Sequence, residues 1–158
     1  MNEAGFWSDR IGPMLKAQCN AARLRFRADR IENLVGVGNP DVNYTIAGVD
    51  GHIELKYSAR HPVRATTPVL GHGNGLRRSQ VIWAYRHIRA GGRVHCLIGT
   101  PVATWLIDLR PLAPADMVAL DLASAARLGE IAVWGSFQGS RGTLPLALLA
   151  EGPGARKN

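Results

Sequence analysis

Gly36-Val37-Gly38-Asn39-Pro40-Asp41 is followed by Val42-Asn43-Tyr44-Thr45-Ile46-Ala47, then Gly48-Val49-Asp50-Gly51, then His52-Ile53-Glu54-Leu55-Lys56-Tyr57. Residues 42–47 and 52–57 read as two strands, and the glycine-bounded 48–51 between them as a hairpin turn. Alternation puts His52, Glu54 and Lys56 on one face and Ile53, Leu55 and Tyr57 on the other. The apolar face can pack on a helix. The other face carries an acid and a base in a sheet that reads as internal, where charges are costly unless paired or bound to a metal. The hairpin brings Asp41 towards Glu54. Two converging carboxylates make a seat for Mg²⁺ or Mn²⁺, and the Leu55 carbonyl can add an oxygen. Lys56 beside them can orient or deprotonate a water, or offset charge on a phosphate in its transition state. Taken alone, Glu54-Leu55-Lys56 also fits a solvated edge strand; Asn39-Pro40-Asp41 and the turn argue against that.

Outward from this stretch, residues 6–22 look helical, with Gly12-Pro13 as a kink or Pro13 as a helix start running to about Ala22. Leu15, Cys19 and Ala22 share a face. Residues 23–31 fit a helix or a strand, and the strand is preferred, with Arg23, Arg25 and Arg27 opposite Leu24, Phe26 and Ala28. Residues 58–78 read as a long loop. Ser79 is placed to cap a helix over 80–90 with Val81, Tyr85 and Ile88 as its apolar face, ended by Gly91-Gly92. Strands follow over 93–99 and 103–109, then a helix near 114–127 and a strand near 131–136. This order predicts an α/β (α+β) domain with one central mixed sheet flanked by helices.

The chain has 158 residues, enough to bury a core without disulfides, and Cys19 and Cys96 read as reduced core thiols. No apolar run is long enough for a membrane helix, and no signal peptide is read, so a soluble cytoplasmic protein with no membrane partner is expected. The net charge is +7, and all of it falls in residues 1–95, with fourteen basic and seven acidic residues. Residues 96–158 balance, with five of each. Sixteen of the nineteen basic residues are Arg, which grips phosphate through paired hydrogen bonds. This is the footprint of a polyanion, most simply nucleic acid. Arg77 and Arg78, at the start of a helix whose dipole opposes them, are the first candidates for phosphate contacts, with Arg23, Arg25 and Arg27 as a second group. His61 and His72 lack zinc spacing, and Gly71-His72-Gly73-Asn74-Gly75 reads as a loop. Trp83, Trp105 and Trp134 are read as core.

Pro40-Asp41 followed by Glu54-Leu55-Lys56 resembles the PD-(D/E)xK nuclease signature. Gly38 ahead of Pro40-Asp41, and Ser79-Gln80-x-x-Trp83 opening a helix, look like its VRR-NUC branch and related phage nucleases. The similarity covers about residues 3–100. It implies a restriction-endonuclease-like αβββαβ core and Mg²⁺- or Mn²⁺-dependent endonuclease cleavage of DNA in a bacterial or phage-infected cell, for the small stand-alone members on branched DNA including Holliday junctions and by a homodimer. The alternatives are a nicking, flap or restriction-type nuclease, or a non-catalytic DNA-binding module of the same fold. Asp41 and Glu54 match the metal ligands, Lys56 the catalytic lysine, and Gln80 the glutamine beside the site. Many relatives carry an acid in the first helix, near the metal, as a further candidate ligand. Glu3 is the best match by position, with Asp9 and Glu32 as competitors. Residues 1–150 are expected as one domain, with a core over about 3–110 and an extension over 111–150, and 151–158 as a flexible tail. The long 58–78 loop and the extension depart from compact members.

Overall fold

The computed structural model describes residues 1–31, 38–61, 63–64, 66–70, 75–101, 103–118, 120–121, 133–134 and 149. Most of the expected 111–150 extension and the 151–158 tail therefore lie outside the described residues. The N-terminal helix runs without a break through α1 (Glu3–Gly5), a π-helical segment (Phe6–Ile11) and α2 (Gly12–Ala21). Pro13 accounts for the π segment. In a regular α-helix its ring would meet the carbonyl of Asp9, and it has no N–H to donate. Wider turns ahead of it relieve this, and the Gly12 N–H reaches back to Trp7 O. The helix ends at Ala22, and Arg23 takes a left-handed turn at φ 54. Arg23 therefore drops out of the strand alternation expected for residues 23–31.

The remaining elements are β1 (Phe26–Arg30), β2 (Val42–Ile46), β3 (Val49–Tyr57), β4 (Pro68–Leu70), α3 (Arg78–Arg89), β5 (Val94–Gly99), β6 (Thr104–Asp108), α4 (Pro114–Val118), β7 (Leu120–Asp121) and β8 (Val133–Trp134). Six strands form one sheet in the order β1-β2-β3-β5-β6-β8, and β4 pairs with β7. Only β3 and β5 run parallel in the large sheet, joined through α3. The αβββαβ order and the mixed sheet are as expected.

Several boundaries differ. The hairpin turn is Ala47-Gly48, not 48–51. Both residues have positive φ (51 and 81), and this two-residue turn lets β3 begin at Val49. Helix α3 is capped by Arg77 rather than Ser79. Its buried row is Val81 and Ala84, with Ile88 packed alongside; Tyr85 faces outward, 6.0 Å beneath the Arg89 guanidinium. Part of the expected 58–78 loop is β4, and the helix expected to reach 127 gives way to β7 at Leu120.

Each face of the sheet is covered by a helix. On one face Phe6, Ile11, Leu15 and Cys19 pack against Val42, Ile46, Ile53, Leu55 and Leu97. On the other, Val81 and Ala84 pack against Val94, Cys96, Ile98, Trp105 and Ile107. Cys19 and Cys96 are buried and free. Strand β3 is thus central, and the charges of its second half, Glu54 and Lys56, are buried. Leu149 joins the first core, and its carbonyl accepts from the Tyr44 hydroxyl (3.1 Å) and the Arg93 guanidinium (3.4 Å). Tyr44→Phe is expected to lower stability by about 0.5–1.5 kcal/mol in urea unfolding, because it removes the donor to that carbonyl. An unchanged midpoint would show that this link to the C-terminal part contributes nothing.

Candidate active site

The β2–β3 register builds the site. Extended by one pair it sets Asp41 opposite Glu54, and by a second pair Pro40 opposite Leu55. Pro40 has no N–H, so the ladder stops there. The Leu55 N–H, on the β2 edge, instead meets the Asp41 carboxylate, with Oδ2 at 2.8 Å. N–H and C=O of one strand residue point to the same edge, so the Leu55 carbonyl also faces this gap.

Glu54 and Lys56 lie on the α3 face of β3, only 3% and 7% exposed. Glu54 Oε1 accepts from Lys56 Nζ at 2.6 Å and from Gln80 Nε2. Gln80 is itself oriented, since its Oε1 accepts from the Arg77 N–H at 2.8 Å. The start of α3 is therefore tied to Glu54 by one side chain. Asp41 faces Glu54 across the extended β2–β3 ladder. Burial pushes the Glu54 carboxyl up to about 8 against the pull of Lys56, and the facing Asp41 adds to the rise. Burial works against the Lys56 ammonium, but Glu54 beside it outweighs this, and Lys56 stays above its ordinary value.

Glu3, the first residue of α1, is ordered in the helix, and its Oε1 is 3.8 Å from Lys56 Nζ. Its carboxyl is raised, mainly by burial, against Lys56, Arg77 and Arg30. Asp9 is exposed and hydrogen-bonds Ser8. Glu32 and His72 lie outside the described residues. Lys56 thus acts on both Glu3 and Glu54, and Arg77 and Arg30 act on Glu3.

Among the described residues, no three His, Cys, Asp or Glu side chains close on one point as a cation cage. Mg²⁺ does not require one: it takes one or two carboxylates and fills its octahedron with water and substrate oxygens. Asp41 and Glu54 face each other across the β2–β3 ladder, with the Leu55 carbonyl on the same edge. That donor set is all oxygen and fits Mg²⁺ or Mn²⁺.

The arginines divide. Arg77 and Arg78 are exposed at the start of α3, beside Gln80. Arg25 and Arg27 are exposed towards the hairpin end, away from Glu54, and Arg27 pairs with Asp29 at 2.6 Å. Arg27 lines a broad recess of about 860 Å³ over the outward face of β1–β3, which does not include Asp41 or Glu54. Trp83 is half-buried, stacked on His87 and edge-on to His52, and Trp105 is core beneath the His61 ring. The Trp134 side chain lies outside the described residues. Sequence reasoning missed Arg30. Its signal was present: the row Phe26, Ala28 that packs on the first core ends in a guanidinium, which acts on Glu3.

No family model matches the chain, and no curated protein matches it in sequence. The fold is similar to that of Hjc from Archaeoglobus fulgidus, a Holliday junction resolvase from an archaeal hyperthermophile, with TM-score 0.51 and 16% identity over 82% of this chain and 93% of that one. The chain therefore has the mixed-sheet, helix-flanked α+β fold of a restriction-endonuclease-like core, with Asp41, Glu54 and Lys56 at its central strands.

Proposed function

We propose that this chain is a metal-dependent DNA endonuclease acting on branched DNA. The observation that carries the reading is the constellation of Asp41, Glu54, the Leu55 carbonyl, Lys56 and Gln80 at the centre of this fold. The likeness to a junction resolvase supports the substrate class, and the PD-(D/E)xK spacing supports the chemistry. The finer affinity with VRR-NUC nucleases rests on Gly38 before Pro40-Asp41 and on Ser79-Gln80-x-x-Trp83.

In this mechanism Asp41, Glu54 and the Leu55 carbonyl would hold Mg²⁺ or Mn²⁺. When bound, the ion supplies positive charge at the scissile phosphate and makes a water acidic enough to attack. Lys56 keeps its proton, so it serves as a donor that holds the water or offsets charge on the phosphoryl oxygens. Gln80 positions Glu54 rather than touching substrate. Gln80→Ala is expected to lower cleavage by about 10–100-fold through lost positioning, with much of the loss recovered in excess metal. A loss of Gln80 without effect would remove it from the machinery. Arg77 and Arg78 hold DNA backbone, a contact that positions without reading sequence.

Resolving a four-way junction requires two cuts, which a two-fold homodimer places symmetrically. Ile82 and Tyr85 on α3 and Val118 on the adjacent α4 are exposed large apolar side chains that a second copy would cover. The test is cleavage of labelled four-way junction, matched duplex and single strand with Mg²⁺, Mn²⁺ or EDTA, with light scattering of the same protein. Paired, metal-dependent cuts confined to the junction are expected. Equal cutting of all three would keep the chemistry and discard the junction assignment. Salt-sensitive binding without cutting would favour a non-catalytic DNA-binding module.

A further inference from the structure

A recess of about 430 Å³ opens at the start of α1, lined by Asn2, Glu3, Arg30, Tyr57 and Ala59 among others. That volume lies within the range of small-molecule seats, ~300–1,000 Å³. It is placed by the fold in two ways. Tyr57 lines it from the α1 side of β3, opposite the Lys56 face, and Glu3 in the lining reaches to 3.8 Å from the Lys56 ammonium, so the recess meets the proposed reacting centre at Glu3. Arg30 ends β1 and is exposed at the same strand ends. The Tyr57 ring is backed by Phe6, with centroids 5.4 Å apart, which fixes it as a rigid wall.

We propose that this recess seats the nucleotide next to the scissile phosphate, with Arg30 on its phosphate and the Tyr57 ring against its sugar and base. The proposal rests on the nuclease reading and adds where the strand leaves the site. The chemistry suits a nucleotide better than a purely apolar ligand. One wall is aromatic and one is a guanidinium, and stacking on an aromatic ring is tolerant of base identity. The one acid in the lining, Glu3, is countered by Lys56, Arg77 and Arg30, so an anion is not excluded by charge. Ala59 is exposed in the lining, so the recess can be filled without touching the core.

The experiment is fluorescence anisotropy of a labelled four-way junction and matched duplex, in EDTA and in Ca²⁺, so that binding is read apart from cleavage. Arg30→Ala is expected to weaken binding about tenfold and to lower the salt slope by about one unit. Ala59→Trp is expected to weaken binding similarly with an unchanged melting temperature. Tyr57→Leu, which keeps the packing on Phe6, is then tested on a series in which one nucleoside at a time is abasic. Its loss is expected to vanish at a single position, the one that occupies the recess. Wild-type affinity in both Arg30→Ala and Ala59→Trp, or a Tyr57→Leu loss equal at every position, would overturn the proposal. If these losses appear but no metal supports cutting, the recess stands as a nucleotide seat and the nuclease reading falls. Intact cutting with unchanged binding in the variants removes the recess alone.

Discussion

Glu54→Gln is expected to abolish cleavage while making the metal-free protein more stable above neutral pH. The first effect follows from the donor set: an amide oxygen is a poor partner for Mg²⁺, and loss of a principal ligand should lower cleavage by ~10³-fold or more. The second follows from linkage. The carboxyl titrates near its ordinary 4.5 when unfolded and is raised to about 8 when folded. Below about 4.5 the proton is bound in both states, and stability is unaffected. As pH rises from there towards 8, the unfolded chain gives up the proton while the fold retains it, so wild-type stability falls. Above about 8 the deficit is complete. The amide introduced by Glu54→Gln mimics the protonated acid, keeping an acceptor for Lys56 and Gln80 without a charge to lose. The variant is expected to match wild type at about pH 4 and to exceed it by about 2 kcal/mol or more at about pH 8.5 in EDTA. Added Mg²⁺ should raise the melting temperature of wild type only. Equal melting temperatures above pH ~8 would show that Glu54 is not held against its charge.

Gly38→Ala is expected to cost about 2–4 kcal/mol and to reduce cleavage with it. Gly38 has φ +97, where a side chain is strained, and an added Cβ would lie 2.6 Å from the Ser79 carbonyl oxygen. That oxygen belongs to the first turn of α3 and cannot yield alone. Moving the turn carries away Gln80 and with it the hydrogen bond to Glu54. Moving Gly38 instead shifts Pro40-Asp41. Either way the two halves of the site separate. Urea unfolding together with Mg²⁺ titration checks this. Wild-type stability in Gly38→Ala would mean that the loop and α3 are free to part.

The pattern Pro40-Asp41, Glu54-Leu55-Lys56 is legible in the sequence because strand alternation and a short hairpin are local rules. They set Glu54 and Lys56 on one face and Asp41 across from it without knowledge of the rest of the chain. The capping of α3 is not legible in this way. Ser79 is the better cap by residue type, but the Gln80 side chain holds the Arg77 N–H, so the helix begins earlier. Spacing alone turns Tyr85 inward, yet Ala84 sits against the sheet because close helix packing there favours the smaller side chain. Charge alone groups the arginines of residues 23–27 with the site. Their distance from it is set by the length of β3, which the two-residue turn extends to Val49.

The αβββαβ order, the carboxylates and lysine of the central strand, and the basic N-terminal part could all be read along the chain. These depend on periodicity and spacing among a few neighbouring residues. Folding in three dimensions was needed to bring Glu3 to Lys56 and Arg30 to Glu3, and to close Gln80 on Glu54 across the sheet face. It also returns Leu149 to the core under Tyr44. Those meetings join residues far apart in the chain. They arise because β3 is buried from both sides, which confines its charges to the partners the packed helices bring.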